Sequence, residues 1–318
     1  MVYEKDFWIG VKMSFKLPDE LVFLTNSKET QKTTTEKMHD KVCVISGSTS
    51  GVGLEALKAI SKAGAKCVIL ARNPEKAQKV KKEIDREYNT NTDIVIADFA
   101  SFSSVLTAAK EISSKYPIID VLINSAGLYC TKKTLTQDGN ELVFQVNHLS
   151  TLLFTWNLLD NIKRCQQGRI IQVNSEGHRF GGLNINNLTW KRRIYTGLRS
   201  YGASKIAQII TVREMAKELK DTNITINTMH PGTVKTNLGY NNGWLYRSYN
   251  KYILTPSMFD PKISGDALYY LAADKSLSNV SGKFFNLTIL EPPASYVLNR
   301  KYYDKIYPLS KKLCGIDD

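Results

Sequence analysis

The chain has 318 residues, 42% of them hydrophobic and 23% charged, and a formal net charge of +13. That length allows one large or two modest domains, and the proportions are those of an ordinary soluble globular protein. The cysteines stand singly at Cys43, Cys67, Cys130, Cys165 and Cys314, which excludes a zinc-type cluster and predicts reduced thiols and no metal.

The positive charge favours acidic partners or an anionic ligand. The basic residues alternate with acids along runs such as "EKAQKVKKEIDRE" (75–87), which reads as a solvated helix face. No nucleic-acid motif accompanies them. Peripheral contact with anionic lipid fits the charge better.

Residues 1–25, "MVYEKDFWIGVKMSFKLPDELVFLT", hold short apolar pieces broken by charge. They form neither a spanning helix of about 20 apolar residues nor a signal-peptide pattern. The polar stretch 26–39, "NSKETQKTTTEKMH", reads as a linker. An extension over 1–39 is therefore expected to precede a single domain over 40–318.

From Lys41 short apolar runs alternate with amphipathic ones. "KVCVIS" (41–46) predicts a strand, "LEALKAISKAG" (54–64) a helix, "KCVILA" (66–71) a strand and "EKAQKVKKEIDREY" (75–88) a helix. "DIVIAD" (93–98), "FSSVLTAAKEISSKY" (102–116) and "IDVLIN" (119–124) continue the alternation. A long helix follows over about Glu141 to Cys165, then the strand "GRIIQVNS" (168–175) and a helix over 198–219. "ITINTMHPG" (224–232) and "GKFFNLT" (282–288) supply the last two strands. Continuous apolar strands separated by helices predict an α/β fold. Right-handed crossovers make it one Rossmann-type, doubly wound parallel sheet with helices on both faces.

Three constellations carry chemistry. "SGSTSGVG" (46–53) places Gly47, Gly51 and Gly53 between a buried strand and a helix. Glycine permits a tight turn and close approach to a pyrophosphate, and the helix N-terminus adds amide donors. The spacing differs from the usual Gly-x-Gly-x-x-Gly, and its plainer reading is a flexible turn. After the second strand comes Arg72, with no carboxylate competing. A guanidinium there suits a ribose 2′-phosphate, which predicts NADP(H) over NAD(H). In "YGASK", Tyr201 and Lys205 stand one helical turn apart on one face. Alone, that pair reads better as two surface side chains.

Together these motifs, with "ADF" at Asp98, "NSAG" (124–127), "QVNHLS" around Asn147, Ser175 and "HPGTVKTN" (230–237), resemble the short-chain dehydrogenase/reductase family. Within the family the chain looks most like the retinol dehydrogenase branch, to which "VNHLSTLLFT", "VNSEGH" and "YDKIYPLSKKLCGI" are similar. The resemblance covers Lys41 to about residue 318. It implies Tyr201 as catalytic acid/base, Lys205 as its partner, Ser175 as the substrate-orienting hydroxyl and Asn147 as the member completing a proton relay.

The resemblance further assigns to the cofactor Gly47, Ser48, Ser50, Gly51, Val52 and Gly53 of the turn, and Arg72. It adds Asp98 with Phe99, then Asn124, Ala126 and Gly127, Tyr201 and Lys205 themselves, and Pro231, Gly232, Thr233 and Thr236. Ser46 stands where the family usually has Thr, and Asn174 precedes Ser175 where it usually has Ser. The branch's N-terminal membrane helix has no counterpart in residues 1–25.

Residues 238–260, "LGYNNGWLYRSYNKYILTPSMFD", are rich in aromatics and lie where the family carries its substrate lid. An aromatic lid suits an apolar alcohol or carbonyl. The expectation is an NADP(H)-dependent oxidoreductase on a retinoid-, steroid- or lipid-like substrate, intracellular, cytoplasmic or peripherally membrane-associated. The family's dimer faces admit a homodimer. The competing expectation is a catalytically weak NADP-binding regulatory or scaffold protein.

Overall fold

The computed structural model describes residues 29–232, Val234 and 260–316. The sequence-expected lid, apart from Asp260, and also Thr233, Thr236 and residues 1–28 lie outside the described residues.

The chain builds one eight-stranded sheet. Strands β1 (Val42–Ser46), β2 (Lys66–Ala71), β3 (Asp93–Ile96), β4 (Val121–Asn124), β5 (Gly168–Val173), β6 (Ile224–His230), β7 (Phe284–Asn286) and β8 (Ile289–Leu290) stand in the order β3-β2-β1-β4-β5-β6-β7-β8. All neighbours pair in parallel except β7 and β8. The antiparallel β8 was not expected from sequence.

Among the described residues the longer helices are α1 (Gly51–Lys62), α2 (Pro74–Tyr88), α3 (Phe102–Lys115), α4 (Ser150–Lys163), α5 (Gly197–Glu218), α6 (Lys262–Ala273) and α7 (Arg300–Leu313). The expected long helix over 141–165 is composite. It has one α-turn at Leu142–Phe144, a π-helical segment at Gln145–Leu149, then α4. A π segment opens the helical ladder and often marks a functional site.

Successive strand residues face opposite sides of the sheet, and the two cores divide accordingly. Val44 packs with α3, α4, α5 and α7 on one face. Cys43 and Ile45 pack with α1, α2 and α6 on the other. Both faces are covered, which is why the strands are apolar throughout rather than alternating. Phe154 and Phe285 are among the largest fully buried side chains, and truncating either would cost about 3–5 kcal/mol. Strand order reverses direction at β1, between β2 and β4. The crevice beyond the carboxyl ends of those strands is where such sheets bind ligands.

Candidate active site

The crevice is built from the end of β1. Ser46 turns its hydroxyl to accept from Ser125 N (3.1 Å) and Ala126 N (3.0 Å), tying the loop after β4 to the end of β1. Serine in place of threonine thus keeps the hydroxyl that makes this tie. Gly47 has φ +67°, and a Cβ there would lie 2.8 Å from Ala126 Cα and 2.9 Å from its N. Only glycine allows the turn and the loop to meet.

Ser50, extended and exposed, occupies the N-cap of α1 without capping it, and the first turn carries no acid. The helix therefore offers its free amides and the positive end of its dipole to an anion. Ser48 is buried and donates to Ile45 O (3.0 Å). Val52 and Gly53 are buried, while Gly51 is half-buried at φ +54°.

Around this turn stand the other expected contacts. Arg72 is exposed just beyond β2. Asp98 is half-buried and accepts from Ala100 N (2.9 Å), with Phe99 buried beside it. Ala126 is half-buried and Gly127 exposed. Pro231 and Gly232, both half-buried, follow β6. Asn124 points elsewhere. Its Nδ2 donates to Thr155 Oγ1 (2.8 Å) beneath the sheet. Its Oδ1 has no partner and faces a cavity of about 20 Å³, shared with Thr211 and Gln208.

Ser175, Tyr201, Lys205 and Asn147 come together at the ends of β5, α5 and the π segment. Ser175 Oγ accepts from Gly177 N (3.0 Å) at the head of the 3-10 turn Glu176–Arg179. Its capping role coexists with a hydroxyl proton left to donate. Gly177 sits between the serine and the tyrosine. A Cβ there would lie 2.9 Å from Tyr201 Cε1 and 3.4 Å from Ser175 Oγ.

The half-buried Tyr201 ring meets Tyr129 edge-on at 5.9 Å, and Lys205 Nζ lies 5.4 Å from the ring centre. Lys205 is 4% exposed and donates to Val173 O (3.0 Å) and Gln208 Oε1 (3.0 Å). Burial pushes its ammonium down to about 7, because the charged form loses water and gains only neutral dipoles.

Asn147 is wholly buried. Its Oδ1 accepts from Leu128 N (2.8 Å), and its Nδ2 donates to Leu128 O (3.0 Å) and Ser204 Oγ (3.1 Å). The side chain therefore closes the loop after β4 onto α5.

Sequence reasoning missed the residues behind these four. Asn174 accepts from Ser175 N (2.8 Å) and donates to Lys205 O and Gln208 Oε1 (3.0 Å each). Buried Glu141 accepts from Val143 N, Phe144 N, Tyr195 OH and Ser200 Oγ, clamping the helix start to α5. The signal for Gln208 was its spacing, three after Lys205 and seven after Tyr201 on one helical face.

The three histidines beyond the linker, read from sequence as structural, are buried. His148 pairs with Ser310 Oγ (2.7 Å) and is pushed down to about 3 by burial. His178 Nε2 accepts from Ala294 N (3.1 Å), so its Nδ1 carries the proton toward Ser175 O (2.8 Å). His230 is buried and likewise pushed down to about 3. Among the described residues no group of three or more His, Cys, Asp or Glu could hold a metal, and no helix is long and apolar enough to cross a membrane. The five cysteines are free thiols.

A model of the short chain dehydrogenase family matches residues 41–243. The chain belongs to that family, and it is an oxidoreductase acting on CH–OH groups. It is similar to human retinol dehydrogenase 13, with 29% identity over 282 residues, covering 87% of this chain and 85% of the relative. Mouse retinol dehydrogenase 14 is 30% identical over 299 residues, covering 88% of this chain and 87% of the relative. A Shigella flexneri protein solved in complex with NADP shares the fold, with a TM-score of 0.65, 21% identity, and coverage of 80% of this chain and 99% of the other.

Proposed function

We propose that the chain interconverts an apolar aldehyde or ketone and its alcohol with NADP(H), using Tyr201 as acid/base. The observation that carries this reading is the buried Lys205 ammonium, unpaired with any carboxylate among the described residues, 5.4 Å from the Tyr201 ring. A cation placed there at a cost in burial has a use: it stabilises a phenolate. Tyrosine titrates near ~10, and each unit is about 1.4 kcal/mol. Working near neutrality therefore needs roughly 4 kcal/mol of differential stabilisation, which a low-dielectric ammonium can supply.

The crevice fits a dinucleotide: the Gly47 approach to Ala126, the uncapped Ser50 and the acid-free first turn of α1 all suit a pyrophosphate. In this reading residues Gly47–Gly53 hold the phosphates, Arg72 the 2′-phosphate, and Asp98 with Phe99 the adenine. Asn124, Ala126 and Gly127 back the cofactor through their main chain, and Pro231, Gly232, Thr233 and Thr236 border the nicotinamide end. Bound there, the nicotinamide supplies the hydride chemistry.

The residues of the chain do the rest. Tyr201 gives its hydroxyl proton to the carbonyl oxygen during reduction and takes it back during oxidation. Ser175, its lone pair engaged by Gly177 N, donates a hydrogen bond to the same oxygen. Asn147 holds the loop after β4 against α5, which fixes the ring of Tyr201 relative to the crevice. The names of the relatives support a retinoid-like substrate, and the aromatic stretch 238–260 supports an apolar one. Residues 40–318 would form the catalytic domain and 1–39 an extension to it.

The test is NADPH and NADH binding by fluorescence, followed by turnover with a panel of apolar aldehydes and ketones. The reading expects NADPH binding and NADPH oxidation on at least one member. Tight binding with no turnover across the panel would favour a nucleotide-sensing scaffold instead.

A further inference from the structure

Lys205 is a cation without a counter-charge among the described residues. No carboxylate among the described residues forms an ion pair with it, and burial alone opposes its charge. The titratable groups facing it are Tyr201 on its own helix and His148 on the π segment. His148 is held neutral by burial and by Lys205 itself. β5 contributes only the Val173 carbonyl. The remaining acceptor is the Gln208 carboxamide.

That carboxamide has one orientation. Oε1 accepts from Lys205 Nζ and from Asn174 Nδ2 (3.0 Å each), so it must be the oxygen. Nε2 then donates to the main-chain carbonyl of Asn147. One side chain thereby joins the lysine, the π segment that carries Asn147, and, through Asn174, the main chain of Ser175. Gln208 is 2% exposed.

We infer that Gln208 is a positioning residue which keeps the Lys205 amine protonated and aimed at Tyr201. It does so by presenting a fixed dipole to the ammonium. A carboxylate in its place would cancel the positive field that Tyr201 needs, and an apolar side chain would leave the ammonium to the Val173 carbonyl alone. A neutral amide is the group that supports the charge without neutralising it. This inference rests on the reading of Tyr201 and Lys205 as the proton-transfer pair.

The test uses Gln208→Met and Gln208→Glu in the full chain. Neither strips its neighbours bare: Asn147 O keeps Thr151 Oγ1 (2.9 Å), and Asn174 Nδ2 keeps Lys205 O (3.0 Å). The Lys205 amine is titrated by NMR in the cofactor-free protein, its signal assigned by its loss in Lys205→Met. Losing one acceptor to a charged donor should lower the midpoint by about one pH unit in Gln208→Met. Gln208→Glu should raise it.

In turnover both variants should move the midpoint of alcohol oxidation to higher pH. The first weakens the ammonium and the second screens it. A lysine midpoint unmoved in both variants would overturn the inference, as would an unmoved turnover midpoint, since a purely structural glutamine predicts each. Failure of the wild type to turn over any substrate would instead strike the reading of Tyr201, and the lysine titration would still judge Gln208.

Discussion

Replacing Lys205 with methionine should make the protein more stable while abolishing its chemistry. The ammonium is pushed from an ordinary 10.5 down to about 7 by burial. A difference of roughly 3.5 units corresponds to about 5 kcal/mol of cost for keeping the charged form folded. Methionine fills similar space without charge. Against this stand two lost hydrogen bonds at about 1 kcal/mol each. Neither acceptor is orphaned, because Val173 O also receives Gln172 Nε2 and Gln208 Oε1 also receives Asn174 Nδ2.

The net expectation is about 3 kcal/mol of stabilisation near neutral pH, a rise of about 6 °C in Tm for a domain of this size. The pH dependence has a definite sign. The unfolded chain binds the proton more tightly, so wild-type stability from this group is complete above about 10.5 and is lost as pH falls through about 7. The gap between variant and wild type should therefore widen from pH 9 down to about 6. Thermal unfolding followed by circular dichroism reads both. A variant less stable than wild type at neutral pH would refute the reasoning, since it would mean that the charge is well solvated or paired where it sits.

Three further outcomes follow from the same geometry. Gly47→Ala forces a Cβ to within 2.8 Å of Ala126 Cα at φ +67°, so it should cost about 2 kcal/mol in urea unfolding and weaken NADPH binding by about tenfold or more. Arg72→Ala should weaken NADPH about tenfold and leave NADH unchanged in fluorescence titrations; equal losses for both nucleotides would dismiss the 2′-phosphate role. Glu141→Ala strands the donors of Val143, Phe144 and Ser200, while Tyr195 OH keeps Cys130 O (3.2 Å), and should cost about 3 kcal/mol or more in the urea midpoint.

Much of the fold was legible because each parallel strand is buried on both faces and announces itself as a short apolar run. All seven expected strands appear, and "SGSTSGVG" forms the turn between β1 and α1. What escaped were elements whose burial depends on a partner. α6 and α7 were not expected. Gly265 within α6 packs against the main chain of Glu55 on α1, and α7 carries Pro308 in its interior, so each holds a residue that reads from sequence as a helix breaker. β8 has two residues, too few for any periodicity.

The four expected catalytic positions do converge. The π segment under Asn147 has no signature in composition, and its side chain spends its hydrogen bonds on Leu128 and Ser204. Gln208 was visible only as one more position on the inner face of α5. A sequence pattern places residues on a face; it does not say which of them exchange hydrogen bonds there.

The most direct measurement of the central claim compares wild type with Tyr201→Phe. NADPH oxidation by an apolar aldehyde is followed alongside NADPH affinity in the same preparations. The phenyl ring keeps the contact with Tyr129 and the fit beside Gly177 but has no proton to give. The account predicts retained nucleotide affinity with turnover reduced by about a thousandfold, within the range of general acid catalysis. A Tyr201→Phe protein that turns over at close to the wild-type rate would contradict it.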